Sequence, residues 1–215
     1  MTSKLVSRWQ TPEGIALAWK VREALGKDQS LGGLGLEPVD GRWDLRGFRD
    51  PVGEAHEVSV PVPGTERTVQ VALRRPELVI IGRPGPLDLS GASLRAVKVR
   101  GAVLESCLFD RADWRDASIS QAACVANCSL RACHFSNAYP GLDDFDTKPV
   151  RFLKVDFSGS RFNRTMAANA EFHGCLFRDV RMFRAEFDGL MTDCTFSGFS
   201  SLALQSSRRR PFQHP

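Results

Sequence analysis

Cysteine is the residue type in this chain that could carry redox or metal chemistry. The sequence has six cysteines, enough in principle for a zinc site or a set of disulfides. Their spacing favours packing instead, because five of them occupy the same position of a repeating unit described below, and only Cys124 does not. These five are Cys107, Cys128, Cys133, Cys175 and Cys194. A buried free cysteine behaves as a small hydrophobic side chain, so we expect no metal, no cofactor and a reduced, cytoplasmic protein.

The histidines do not complete a catalytic group. The four histidines stand at unrelated positions: His56, His134, His173 and His214. His134 and His173 face outward in the repeat. The chain has no Gly-x-Ser-x-Gly turn, no glycine-rich loop typical of phosphate binding and no His-Glu-x-x-His pair. We therefore predict that the protein is not an enzyme and has no catalytic residues.

Four arginines could bind anions. In a chain that closes one turn every twenty residues, Arg161 lies beside Arg181 and Arg164 lies beside Arg184, all on one outer side. Such a patch could contact phosphates or an acidic protein surface. The alternative is a solvated face whose arginines pair with Asp and Glu on neighbouring sides of the molecule.

A second candidate for binding is the segment 136–150, which interrupts the repeats. It contains Tyr139 and an acidic cluster of Asp143, Asp144 and Asp146. A loop that projects from a rigid scaffold often carries a binding function, although a tolerated insertion explains the segment equally well. The spacing of the acids does not match a calcium-binding EF-hand loop.

A five-residue period positions all of these residues. The central residue of each five-residue unit is large and apolar in nearly every unit, and a small residue stands two positions before it. Because residues two apart share one face of an extended segment, both side chains of this pair point in the same direction. The nineteen centres are Leu89, Leu94, Val99, Leu104, Phe109, Trp114, Ile119, Val125, Leu130, Phe135, Phe152, Phe157, Phe162, Ala167, Phe172, Phe177, Met182, Phe187 and Phe196. Ala167 is undersized for a centre, which predicts a local irregularity.

The period requires a chain that turns a corner once per unit. Gly, Asn or Asp often stands two residues after a centre, and these types suit corners with positive φ. Four units close one coil, so nineteen centres predict about five coils stacked at the spacing of β-strands. The large centres fill the narrow interior, which leaves no cavity for a small ligand and makes the outer walls the place for recognition.

The repeats at 91–117 (GASLRAVKVRGAVLESCLFDRADWRDA) and 155–165 (VDFSGSRFNRT) resemble those of the pentapeptide repeat family. The resemblance implies an all-β fold, a right-handed quadrilateral β-helix. It implies little about function, although members that give quinolone resistance are pictured as mimics of duplex DNA that bind DNA gyrase or topoisomerase IV. A DNA mimic needs a strongly negative surface, whereas residues 86–199 hold 14 basic and 14 acidic residues and the chain carries a net charge of +4.

The two ends differ from the repeats. Residues 1–85 predict a helix that starts at Thr11-Pro12 and a β-hairpin, a small α+β cap on the open end of the β-helix of residues 86–199. A separate functional domain is the alternative. Residues 200–215 are predicted to form a disordered basic tail. Some members of the family form dimers through their last coil, which implies a possible homodimer here.

These observations predict a non-catalytic scaffold that binds another protein through its outer faces and the loop 136–150. One alternative is a gyrase- or topoisomerase-binding protein that gives resistance to topoisomerase poisons. The other is nucleic-acid binding through the arginine face and the basic tail.

Overall fold

The computed structural model describes residues 6–52, 57–61, 68–72, 78–140, 148–198 and 200–202 of the chain. These residues form a four-sided β-helix of about six turns, preceded by an α-helix. The β-solenoid with a helix at its N-terminal end that the sequence predicts is confirmed. The expected number of about five coils is too low, because part of the segment before residue 86 forms one more turn.

The strands are short because each crosses only one side of the coil. An α-helix, α1, spans Pro12–Gly26, and 3-10 helices span Arg8–Gln10 and Leu31–Gly33. The strands in chain order are β1 (Pro38–Val39), β2 (Arg42–Asp44), β3 (Glu57–Pro61), β4 (Thr68–Ala72), β5 (Val79–Ile80), β6 (Leu87–Asp88), β7 (Lys98–Arg100), β8 (Val103–Glu105), β9 (Ser118–Ser120), β10 (Cys124–Ala126), β11 (His134–Ser136), β12 (Tyr139–Pro140), β13 (Val150–Leu153), β14 (Arg161–Asn163), β15 (Met166–Ala167), β16 (Ala170–His173), β17 (Leu176–Arg178), β18 (Arg181–Phe183), β19 (Glu186–Phe187), β20 (Leu190–Thr192), β21 (Thr195–Ser197) and β22 (Ser200–Leu202).

Parallel pairing stacks equivalent sides of successive turns into four faces. The first face contains β2 and β6 and, after a series of isolated bridges, β17 and β21. The second contains β11, β14, β18 and β22, in that order. The third contains β5, β7, β9 and β12, and then β15 and β19; the fourth contains β8, β10, β13, β16 and β20. Each side chain therefore has a vertical neighbour one turn away, at about 4.8 Å along the stack.

The centres of the repeats fill the interior, as the period predicts. Every predicted centre from Leu89 to Met182 is at most 4% exposed. Aromatic centres stack on their vertical neighbours: the rings of Phe135 and Phe162 are 5.0 Å apart and nearly parallel. Such pairs each contribute about 0.5–1.5 kcal/mol beyond the burial of their surface. The period missed two centres, Pro140 and Met191, because the chain length between units changes next to each of them.

The predicted corners have the expected conformation at most positions. Positive φ occurs two residues after a centre at Gly91, Gly101, Asp116, Asn127, Asn137, Gly159, Gly174, Asp179 and Gly198. The prediction is wrong at Asn169 and Gly189, whose φ is not positive. Gly189 is required for a different reason, because a Cβ there would lie 1.8 Å from the carbonyl oxygen of Ala170.

The β-helix starts well before residue 86, where the sequence places its boundary. Strand β2 pairs with β6 through Trp43 and Leu87, and β5 pairs with β7 through Val79 and Lys98. The hairpin of β3 and β4 pairs as predicted from the alternating valines. It is inserted between the second and third sides of this first turn, which hides the period of the turn in the sequence.

The N-terminal segment is attached to the first turn. Thr11 caps α1 as predicted, since its hydroxyl accepts a hydrogen bond of 3.0 Å from the amide of Gly14. At the other end of the helix, the carbonyl of Leu25 accepts a hydrogen bond of 3.1 Å from the amide of Ile81. The ring of Trp9 packs edge-on against Phe48 at 5.1 Å. These contacts place the helical part of the predicted cap on the first turn; a capping role for the hairpin stays a prediction.

The last described turn is less well covered. Phe196 occupies a centre, stacks on Phe177 at 5.0 Å, and yet is 44% exposed. The predicted basic tail lies outside the described residues, apart from strand β22. Within those residues, no further turn is stacked on β20, β21 and β22.

Candidate binding surface on the C-terminal half

The second face carries a column of basic side chains. Strand pairing places His134 beside Arg161 and Arg161 beside Arg181, on three successive turns. The outward position in the strand and the parallel register together bring the two arginines side by side, as the twenty-residue spacing predicts. Their side chains are exposed.

A second column stands at the corner that follows this face. Arg164 and Arg184 both have φ of 51°, which is the left-handed conformation of the corner position. The amide of Arg164 donates a hydrogen bond of 2.8 Å to the carbonyl of Phe183, which fixes the two corners one above the other. We call Arg161, Arg164, Arg181 and Arg184 the arginine surface; the structure brings together all four residues that the sequence selected.

No ion pair joins the arginine surface to an acidic side chain within the described residues. This differs from the N-terminal turns, where arginines have acidic partners at close range. These pairs are Arg95 with Asp116 at 3.4 Å, Arg115 with Asp113 at 2.5 Å and Arg131 with Asp110 at 2.7 Å. The neutralised face considered as an alternative in the sequence analysis is therefore found in the N-terminal turns and not at the arginine surface.

Phe183 lies within the arginine surface. It faces outward from β18, is 43% exposed and pairs across the strands with Asn163. The guanidinium carbon of Arg184 is 5.2 Å from the centre of its ring, a cation–π contact. An exposed aromatic ring with arginines on both sides in sequence offers both apolar and charged contacts to a ligand.

The third face carries a smaller apolar column. Tyr139 is 37% exposed and Met166 is 36% exposed, and the amide of Met166 donates a hydrogen bond of 3.0 Å to the carbonyl of Ala138. The two side chains thus belong to successive turns on the same side. The acidic residues of the predicted loop, Asp143, Asp144 and Asp146, lie outside the described residues, so their role stays a prediction.

Large exposed apolar side chains are distributed unevenly along the β-helix. Those on the described parallel strands all lie between residues 139 and 196: Tyr139, Met166, Phe183, Leu190 and Phe196. At the N-terminal end, Val39 on the antiparallel strand β1 and Ile15 and Trp19 on α1 are also exposed. Met166 and Leu190 are additional to the residues that the sequence predicts for binding. Their signal was a large apolar residue directly before a centre, a position that faces outward.

One arrangement on the second face has the residue types of a hydrolase but not its geometry. The hydroxyl of Ser136 is hydrogen-bonded to Nε2 of His134 at 2.7 Å. The neighbouring carboxylate of Asp113 instead accepts hydrogen bonds from Arg115. Burial, together with nearby cations that include Arg161, lowers the pKa of His134.

The interior offers little room for a ligand. A cavity of about 20 Å³ lies among apolar side chains near Trp114 and Pro140, which is about the space of one water molecule but lacks polar partners for it. All six cysteines are free, and five are buried. Burial raises the pKa of Cys175 to about 12, so this thiol is not a nucleophile at neutral pH.

The described residues contain no group of three or more His, Cys, Asp or Glu side chains arranged to hold a metal ion. None of their helices is both long enough and apolar enough to cross a membrane.

Comparisons with known proteins agree on the repeat. Residues 88–123 match the model of the pentapeptide repeats with eight copies, whereas no curated protein matches the chain. The solved structures that match include two trypsin-treated variants of QnrB1, a plasmid-mediated fluoroquinolone resistance protein. One is 20% identical, covers 53% of this chain and 56% of its own, and gives a TM-score of 0.26. The other is 18% identical, covers 55% of this chain and 53% of its own length, and gives a TM-score of 0.28. The chain thus spans about half the length of each of these two structures.

Proposed function

Because the chain is a pentapeptide-repeat β-helix, we propose that it is a non-catalytic interaction protein that binds another protein through its outer walls. The filled interior supports this proposal, since the cavity of about 20 Å³ is too small for any metabolite. Recognition is then restricted to the surface of the turns and to segments that project from them.

The single observation that carries the proposal is the difference between the two halves of the β-helix. In the N-terminal turns, Arg95, Arg115 and Arg131 each form an ion pair with an aspartate. In the described C-terminal turns, Tyr139, Met166 and Phe183 are exposed. Tyr, Phe, Met and Arg are the residue types enriched in protein–protein interfaces, so we assign the binding surface to the C-terminal half.

The test compares two sets of outward-facing substitutions by affinity capture from the cells in which the protein occurs. The surface variant is Tyr139→Ser with Met166→Ser. The matched control is Ile15→Ser with Trp19→Ser, two large apolar residues of similar exposure on α1. We expect a protein that is retained by the wild type and by the control but lost with the surface variant. Identical captures from all three would remove the assignment to the C-terminal half.

Binding to DNA gyrase or topoisomerase IV is the second candidate, and it rests on the resemblance of the repeats to those of quinolone-resistance proteins. The arginine surface counts against mimicry of duplex DNA, because four uncompensated guanidinium groups repel a cationic DNA-binding groove. Supercoiling by gyrase, with and without a fluoroquinolone and with increasing amounts of the protein, tests this candidate directly. Neither inhibition nor protection at micromolar protein would exclude it.

A further inference from the structure

The four guanidinium groups form a two-by-two array. Arg161 and Arg181 are vertical neighbours on β14 and β18, and Arg164 and Arg184 are vertical neighbours at the following corner. Vertical neighbours in this fold are about 4.8 Å apart along the stack. A flexible anionic chain that runs along the stack can therefore contact both members of one column at the same time.

The array keeps its positive charge. Two carboxylates border it, Asp179 at the preceding corner and Glu186 on the third face, and neither forms an ion pair with the four arginines in the described structure. His134 extends the first column toward the N-terminal turns. Four unpaired guanidinium groups beside two carboxylates leave a net positive surface, which attracts polyanions.

The exposed ring of Phe183 selects among polyanions. It lies between Arg181 and Arg184 in sequence and is 43% exposed. Sites for single-stranded nucleic acids combine basic residues that follow the backbone with aromatic rings on which bases stack. A duplex keeps its bases stacked inside, and an acidic peptide has no base, so neither would use this ring in the same way.

From this arrangement we propose that the arginine surface and Phe183 bind single-stranded nucleic acid, with phosphates on the arginine columns and a base on the ring. This site shares Phe183 with the C-terminal surface proposed above for protein binding, but the proposal does not depend on a protein partner. The ligand class follows from the combination of unpaired arginines and an exposed ring on the same two turns.

The experiment measures fluorescence anisotropy of a labelled oligothymidylate of about 12 nucleotides, within the range of single-strand site sizes, with the full chain. Each phosphate contact contributes about −0.7 to the slope of log affinity against log salt for single strands. Four contacts therefore predict that binding weakens about 50-fold between 50 and 200 mM salt. Binding that is absent at high micromolar protein and low salt, or that does not respond to salt, overturns the proposal.

Corner positions provide a matched pair of variants. Arg164→Gly with Arg184→Gly removes two charges at positive φ, where glycine keeps the backbone conformation. Arg111→Gly with Lys154→Gly removes two charges from other corners that also have positive φ. The first variant should weaken only about sevenfold over the same salt range, whereas the control should keep the wild-type dependence. Equal behaviour of the two variants overturns the assignment to this surface.

Two further variants separate the ring and the tail from the arginines. Phe183→Ser should reduce the affinity for the oligothymidylate by at least about fivefold, because stacking on an aromatic ring contributes that much per base. Phe183→Tyr keeps an aromatic ring and should bind as tightly as the wild type. Replacing Arg208, Arg209 and Arg210 by serine tests the tail and should leave the effect of Phe183→Ser unchanged. Loss of all binding in the tail variant, or equally tight binding of a duplex or of polyglutamate, overturns the proposal.

Discussion

Arg8 bridges the N-terminal segment and the first turn of the β-helix through Asp44. Its Nη1 lies 2.9 Å from Oδ2 of that carboxylate, and its Nη2 also donates to the carbonyl oxygen of Asp44 at 2.8 Å. Asp44 in addition accepts a hydrogen bond of 2.8 Å from Nε of Arg46. One carboxylate thus holds together the segment before α1 and the strand that starts the stack.

The first prediction concerns the pH dependence of stability at Asp44. Hydrogen bonds from Arg46 and, to a lesser extent, Arg8 lower the pKa of this carboxyl well below its usual range. Because the folded pKa is depressed, its stabilisation is present above the unfolded pKa of about 4 and is lost as the pH falls below it. We expect Asp44→Asn to lower the free energy of unfolding at pH 7 by about 1–3 kcal/mol.

Urea unfolding between pH 3 and pH 7 measures this effect. Wild-type stability should fall more steeply on acidification than that of Asp44→Asn, with the exposed Glu105→Gln as the control that keeps the wild-type slope. Parallel curves for wild type and Asp44→Asn would contradict the prediction.

The second prediction tests which side chains face inward. Phe172 is 2% exposed and stacks on Phe152 at 4.8 Å. Phe172→Asp places an unpaired carboxylate in an apolar interior and should prevent folding. Arg178→Ala changes an exposed residue of the same turn and should stay within about 0.5 kcal/mol of the wild type. Thermal melts followed by circular dichroism distinguish the two; equal tolerance would refute the assignment of inside and outside.

The third prediction concerns the undersized centre. Ala167 is fully buried and stacks on Phe187, and the small apolar cavity is lined by Pro140 and Phe187. Filling such a cavity commonly stabilises a protein, and this one holds about one water molecule, so Ala167→Cys, which adds one heavy atom beside Phe187, should raise the free energy of unfolding by about 0.5–1.5 kcal/mol. The same change at the tightly packed Ala102 should lower it by about 1–3 kcal/mol.

Chemical denaturation of the two alanine variants measures this difference. A loss of stability in both would mean that the space beside Ala167 cannot accept one further heavy atom.

The fourth prediction is a homodimer through the last turn. Phe196 is 44% exposed although it occupies a centre, and Leu190 is 56% exposed on the same end of the stack. We expect sedimentation velocity to show a dimer for the wild type and a monomer for Phe196→Ser with Leu190→Ser. Ile15→Ser with Trp19→Ser, on the exposed side of α1, is the control and should remain dimeric. A wild type that is monomeric at all concentrations would contradict the prediction.

The sequence predicted the β-helix because a five-residue period is a local signal that each unit repeats. It missed the first turn, since the chain between Asp50 and Val79 separates two of its sides and only the strand that contains Asp44 resembles a repeat. The position of the arginine surface followed from the twenty-residue spacing.

The lack of ion pairs at the arginine surface was harder to predict, because pairing depends on side-chain conformations. The sequence does contain a partial signal. Arg115 pairs with Asp113, two residues before it on the second face. The equivalent two outward positions hold Arg161 with Asn163 on β14 and Arg181 with Phe183 on β18, so neither strand carries an acid there.

The first turn shows how this architecture tolerates additional length. The chain leaves the stack after the second side and returns as β5 on the third side, in register with β7. The turns above keep their alignment, because vertical pairing of equivalent sides does not depend on the length of the connection between two sides. Corners are therefore natural sites for grafting: a foreign peptide or a reporter domain can be introduced there without redesigning the packed interior.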